Sequence, residues 1–145
     1  MGKGVVADLA ALDGGGIFKF VLFTRADDAD WAPMADAVAH LRAALGETAT
    51  VVDCGPGQCE VLPPGVNKGS GVAALLEHLG VPPDAAVACG DAENDVEMLR
   101  LVGVGVAMGN AKPPALAAAD VVVASNDDDG VAEAVRRFVF REKID

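Results

Sequence analysis

From Gly69 to Phe140 the chain alternates short apolar runs with stretches of helical periodicity, and this alternation constrains the fold more than any other feature. The first run, residues 85–89, is followed by a helix predicted over 93–101, in a stretch where Val96, Leu99 and Val102 recur. A second run, 103–107, leads to a short helix predicted over 113–119. A third, 120–124, leads to a last helix over 130–140. A helix predicted over 69–79 precedes them all, with Val72, Leu75, Leu76 and Leu79 on one face and Gly80 as its stop. Val- and Ala-rich strands that alternate with helices predict a parallel sheet covered on both faces. The fold class is α/β.

The stretch before Gly65 is organised differently. Gly14-Gly15-Gly16 breaks the chain ahead of a strand predicted over 17–23, an apolar run interrupted by Lys19. A helix is predicted over 30–45. Pro33 suits its first turn, Met34, Val38, Leu41 and Leu45 form its apolar stripe, and Gly46 stops it. Two short strands follow, over 49–53 and 58–62, joined by the turn Cys54-Gly55-Pro56-Gly57. Pro63-Pro64-Gly65 marks a boundary. The chain therefore divides into a β-α-β-β part, residues 1–64, and an alternating part, residues 65–145.

Composition narrows the class of function. The chain has 145 residues, of which 52% are hydrophobic, enough to bury a core. It carries 22 acidic against 11 basic residues, a formal net charge of −11. Such a field repels a phosphate backbone, so nucleic acid is not an expected partner, whereas a cation, or an anion held through one, is compatible. Cys54, Cys59 and Cys89 form no Cys-x-x-Cys pair and read as small core residues in a reducing compartment. His40 and His78 sit in helical patterns far apart and read as surface residues. No segment has the length and purity of a membrane span, and Met1-Gly2-Lys3-Gly4 opens no signal-peptide core. A soluble, intracellular chain with no membrane partner is expected.

The chemistry concentrates at Cys89-Gly90-Asp91-Ala92-Glu93-Asn94-Asp95. Three acidic side chains and an amide crowd the turn where a buried strand ends and a helix begins. In parallel α/β sheets, the carboxyl end of a strand is where ligands bind. Clustered carboxylates are hard oxygen donors suited to Mg²⁺, which takes one or two of them and fills its other positions with water and phosphate. Asp and Asn also cap helices, so a solvated capping turn is the competing reading. Lys68 opens a helix, where the dipole disfavours a cation. That violation of local preference points to function, against the commoner reading of an exposed lysine. Met108-Gly109-Asn110-Ala111 follows the second strand at the same sheet edge. There Gly109 would let backbone approach a ligand and Asn110 could hydrogen-bond it, unless the segment is only a strand-to-helix turn. Gly103-Val104-Gly105 lacks the third glycine and the acid of a dinucleotide site.

Taken in order, these motifs resemble the haloacid dehalogenase superfamily. They are Lys68; Gly90-Asp91-x-x-Asn94-Asp95 before a helix holding Met98-Leu99; Gly105 to Ala111; Ala119-Asp120; and Asp129-Gly130-Val131-Ala132. The chain is most similar to its Cof-type phosphatases with a C2-type α/β cap, and the match extends from Ile17 on. The resemblance implies that residues 1–64 are the end of the cap and residues 65–145 the C-terminal half of a Rossmann-like core with a parallel sheet. It implies hydrolysis of small phosphorylated metabolites through an aspartyl-phosphate. Asp91 then matches the Mg²⁺ ligand, and Asp95 the neighbouring acid that supports the metal or orients the lysine. Lys68 matches the catalytic cation, Asn94 an amide that contacts phosphate or nucleophile, and Asn110 a residue of the site-edge loop that binds phosphate or substrate.

One departure is large. The family's nucleophile lies in an Asp-x-Asp-Gly-Thr-like motif, and no such motif occurs in this sequence. Val5 to Gly14 reads better as a helix that ends at the glycines. A Mg²⁺-dependent phosphatase portion, inactive alone, is therefore expected. A non-catalytic metal-binding or interaction domain of the same ancestry is the alternative, and a nucleotide-binding module has least support. The strand over 85–89 would be an apolar sheet edge, open to self-association or to a partner chain.

Overall fold

The computed structural model describes residues 19–23, 32–55 and 57–141. The glycine triplet, the reading of Val5 to Gly14 as a helix, and the predicted element ends at 17–18 and 30–31 lie outside the described residues.

Two three-stranded sheets organise the molecule. The first is antiparallel. It is built from β1 (Phe20–Phe23), β2 (Thr50–Gly55) and β3 (Gln58–Leu62) in the order β1-β3-β2, with helix α1 (Ala32–Leu45) between β1 and β2. Its register pairs Val51 with Val61 and Asp53 with Cys59, then slips between Asp53 and Gly55, next to the turn. Val51 and Cys59 are buried together with Met34 and Val38 of α1, and Val61, Leu41 and Leu45 pack around them. The apolar stripe predicted for α1 is therefore the face that covers this sheet. Because side chains alternate along a strand, Val52, Glu60 and Leu62 belong to the other face.

The second sheet is parallel, β4 (Val87–Gly90), β5 (Val104–Ala107) and β6 (Val121–Val122) in that order. Helix α2 (Lys68–Leu79) leads into it. Helix α3 (Val96–Leu101) connects β4 to β5, α4 (Pro113–Ala118) connects β5 to β6, and α5 (Gly130–Ala134) follows β6. Val106, Met108, Val123 and Ala134 form its core, while Leu99 fills the space between α3 and the strands. This is the mixed α/β architecture with a parallel sheet that the alternation predicts.

The details differ at element ends. The helix predicted over 93–101 is a 3-10 turn, Glu93–Asp95, that continues as α3. The last helix is α for five residues and then π-helical over Val135–Val139, closed by the Phe140 N–H donating to the Val135 carbonyl at 3.1 Å. The strand predicted over 120–124 is only two residues long. Backbone bonds from the Asp120 N–H to the Gly105 carbonyl (2.8 Å) and from the Val123 N–H to the Ala107 carbonyl (3.1 Å) flank it, and side chains take the neighbouring donors, the Asp120 carboxylate accepting the Gly105 N–H at 2.8 Å and the Glu133 carboxylate the Ala124 N–H at 2.9 Å. The Asp127-Asp128-Asp129 triplet precedes α5, with Ser125 capping a separate 3-10 turn over Asn126–Asp128. Leu76 of the predicted α2 stripe is buried, whereas Leu75 and Leu79 are exposed. Among the described residues α2 packs mainly on α3, which covers only part of that stripe. No helix among the described residues is long and apolar enough to cross a membrane.

Candidate active site

Strand β4 ends at Gly90, and the chain turns through Asp91 and Ala92 into the 3-10 segment that ends at Asp95. Asp95 is the one charged residue buried among the described residues, at 3% exposure. Both of its oxygens are engaged. Oδ1 accepts from the Lys68 ammonium at 2.5 Å, and Oδ2 accepts the N–H groups of Asp91 at 2.9 Å and Ala92 at 3.0 Å. Burial alone would push this carboxyl up. The Lys68 hydrogen bond and the two backbone N–H groups outweigh burial and hold it below the usual carboxylate range. Gly90 makes room for the arrangement, because a Cβ there would stand 2.5 Å from the Cβ of Asp95.

Lys68 reaches Asp95 from the first residue of α2. Asn67 caps that helix, its Oδ1 accepting the Ser70 N–H at 2.8 Å while Ser70 Oγ accepts the Asn67 N–H at 3.0 Å. The cap fixes where the helix begins and hence where the lysine projects. A cation at a helix N-terminus is unfavourable for the dipole, and the Asp95 carboxylate offsets it. The Lys68 side chain is half exposed, so its remaining donors can meet a second anion.

Asp91, Asp95, Asn94 and Lys68 are thus brought to one turn at the carboxyl edge of the parallel sheet. Asp91 is exposed there. Asn94 Oδ1 is buried without a hydrogen-bond partner. Asn110 occupies the same edge after β5 but is tied to the loop after β6. Its Nδ2 donates to Asn126 Oδ1 at 2.8 Å, and its Oδ1 accepts the Asn126 N–H at 3.1 Å. Backbone bonds from Lys112 N–H to the Asp91 carbonyl (2.8 Å) and from Met108 N–H to the Gly90 carbonyl (3.1 Å) join these turns. No group of three His, Cys, Asp or Glu side chains placed to hold a metal occurs among the described residues.

A cavity of about 160 Å³ lies between the antiparallel sheet and this turn. Arg42, Val52, Glu60, Lys68, Asn94 and Glu97 are among its walls. Arg42 spans the gap, with Nε donating to the Val51 carbonyl at 3.2 Å and Nη2 lying 3.9 Å from Glu93 Oε1. Sequence reasoning misses Arg42, Glu60 and Glu97, since nothing local marks a helix or strand residue that acquires its neighbours only in the folded chain. It misses the Asn67 cap as well, although Asn is a favoured residue at a helix start.

The family model of haloacid dehalogenase-like hydrolases matches residues 5–135. The chloroplastic endoribonuclease YBEY of Arabidopsis thaliana is 50% identical over 97 residues, which are 67% of this chain and 17% of that protein. A phosphoglycolate phosphatase of Methanothermobacter thermautotrophicus is 46% identical over 76 residues, 52% of this chain and 34% of that one. A haloacid dehalogenase-like hydrolase of Bacteroides thetaiotaomicron superposes with a TM-score of 0.70 at 32% identity, covering 90% of this chain and 47% of its own. The chain spans less than half the length of each of these three proteins. With its parallel sheet and the match over nearly its whole length, the chain belongs to the haloacid dehalogenase-like hydrolases.

Proposed function

We propose that this chain carries the lysine- and cation-binding side of a Mg²⁺-dependent phosphatase site that hydrolyses a small phosphorylated metabolite. The Lys68–Asp95 pair at the carboxyl end of β4, with Asp91 exposed beside it, carries the reading. Phosphoryl transfer asks a protein mainly for positioning and for positive charge near the phosphate oxygens. Asp95 holds the Lys68 ammonium in place, and Lys68 offsets the charge of the bound phosphate. Asn94 contributes an amide beside it. Asn110 keeps one Nδ2 hydrogen after its bond to Asn126, enough for one phosphate or substrate contact.

The donor set fits a magnesium ion only in part. The exposed Asp91 carboxylate is a hard oxygen donor at the sheet edge, and Mg²⁺ commonly takes one or two carboxylates with water and phosphate completing its shell. Asp91 would hold the ion, and Asp95 would support it from behind through the turn. When bound, the ion would neutralise charge on the phosphoryl oxygens. The sequence holds no Asp-x-Asp-Gly-Thr motif to supply the attacking carboxylate. In this reading residues 1–64 are the end of a cap, residues 65–145 the returning half of the core, and turnover by the isolated chain is negligible.

The phosphatase relatives, including the phosphoglycolate phosphatase and an HMP-PP phosphatase of Citrobacter koseri that is 51% identical over 82 residues, support the reaction class. A test is hydrolysis of a phosphorylated-metabolite panel with Mg²⁺, with and without an added Asp-x-Asp-Gly-Thr-bearing half. Activity that requires both pieces and disappears in Asp91→Asn is expected. Turnover by the chain alone that Asp91→Asn abolishes would place a nucleophile within it. Mg²⁺ binding with no turnover under either condition would favour the non-catalytic domain.

A further inference from the structure

The cavity beside Lys68 has a charge pattern that bears on what the phosphate is attached to. Three glutamates line it, Glu60, Glu93 and Glu97, against two cations, Arg42 and Lys68. Both cations already have carboxylate partners. Lys68 is joined to Asp95, and Arg42 lies 3.9 Å from Glu93. Glu60 in turn draws Lys19 to 2.7 Å, so even that nearby cation is committed. The wall therefore offers hydrogen-bond acceptors, and each of its two cations among the described residues already has a carboxylate partner, with Lys68 left to meet the phosphate. Its volume, about 160 Å³, is well below the roughly 300 Å³ at which pockets for drug-sized ligands begin.

Resting on the phosphatase reading, we infer that this cavity receives the leaving-group half of the substrate and selects a small alcohol bearing hydroxyl or ammonium donors, while rejecting one with a second anionic group. The phosphate's charge is met by Lys68 and the Asp91 side. A carboxylate on the leaving group would face Glu60 and Glu97, and the cations there among the described residues are already paired, Lys68 with Asp95 and Arg42 with Glu93. A hydroxyl or ammonium would instead donate to the glutamates. Like charges brought together across an interface are disfavoured, so the discrimination is a property of the wall and not of the phosphate site.

The test is calorimetric titration of the full chain in Mg²⁺ with four probes: inorganic phosphate, phosphoethanolamine, glycerol 2-phosphate and 2-phosphoglycolate. The amine and hydroxyl esters are expected to bind at least ~10-fold tighter than the carboxylate ester, a modest share of the like-charge cost. Glu60→Gln releases Lys19 and Glu93→Gln releases Arg42, and each is expected to narrow that ratio by ~3-fold or more. Glu93 is half exposed, so its substitution leaves the fold intact and keeps the test valid if Glu60→Gln does not fold. If inorganic phosphate shows no Mg²⁺- and Lys68-dependent binding, using Lys68→Ala as the comparison, the phosphatase reading falls and takes this inference with it. If phosphate binds in that way but the three esters bind alike, the inference alone falls. It falls too if the preference exists and a folded Glu93→Gln chain keeps it unchanged.

Discussion

The two sheets differ in how much freedom they leave a side chain. In the parallel sheet, backbone meets backbone. A Cβ at Gly105 would lie 2.4 Å from the Leu99 carbonyl oxygen, and Val106 and Ala107 beside it are fully buried. The antiparallel sheet is looser. Phe20, Val21, Leu22 and Phe23 of β1 are all exposed, and Gly46 after α1 has open space around it. The tight sheet ends at Gly90, where Asp95 of the following turn leaves no room for a side chain. The loose one supplies only cavity wall, where charge matters more than exact placement.

Substituting glycines on each side is the strongest way to break this comparison. Gly105→Ala is expected to destabilise by about 3 kcal/mol or more, since the new methyl meets rigid backbone. Gly46→Ala meets nothing, and should cost only about 1 kcal/mol of left-handed strain at its φ of +51°. Urea midpoints would measure both, and equal losses would mean that the parallel sheet yields as readily as the other.

Ion pairs give a smaller contrast. Lys68→Ala leaves the Asp95 carboxylate buried with only backbone partners. The loss expected is about 2 kcal/mol, less than for a fully buried pair because the lysine is half exposed. Lys19→Ala removes a surface pair with Glu60 and should cost less than about 1 kcal/mol. A larger loss at Lys19 would reverse the ranking of the two layers.

The pH dependence sharpens the same point. The folded-state pKa of Asp95 is depressed, so its contribution is complete above the ordinary carboxylate value of about 3.9 and is lost as pH falls through the lower folded value. The stability advantage of the natural chain over Asp95→Asn should therefore be constant from neutral pH down to about 4 and shrink below it. An advantage unchanged at pH 3 would mean that the charge contributes nothing.

The smallest expected signal is at the sheet edge. Among the described residues β4 pairs with β5 alone. Concentration-dependent light scattering and rapid amide exchange on one side of Val87–Gly90 are expected of an open apolar edge. A monomer with these amides protected on both sides would mean that a segment outside the described residues covers β4.

Much of the parallel layer was legible because its cause is local. Strand and helix periods alternate, glycines stop the helices, and acids collect in one turn. Lys68 at a helix start was readable as a violation, and its explanation, Asp95, was within the same motif reading. The engagement of both Asp95 oxygens was not readable, because it depends on how the turn after β4 meets α2. Asn110 looked free for a ligand in sequence, yet half its capacity goes to Asn126, sixteen residues away. The division of the last helix into α and π segments left no mark in its apolar pattern. Arg42 and Glu60 belong to the cavity only because helix α1 and strand β3, distant in sequence from the turn after β4, both meet it in the folded chain.

Gly90 and Asp95 carry a consequence for how such a chain can change over time. The carboxylate occupies the volume that any side chain at position 90 would need, with only 2.5 Å between the two Cβ positions. Neither residue can be replaced freely while the other stays. A larger residue at 90 would expel Asp95 and with it the anchor of Lys68, and a bulkier residue at 95 would press on the end of β4. Substitutions tolerated at these two positions should therefore be found as pairs, and a saturation library scanning both at once would show acceptable combinations lying along a narrow diagonal.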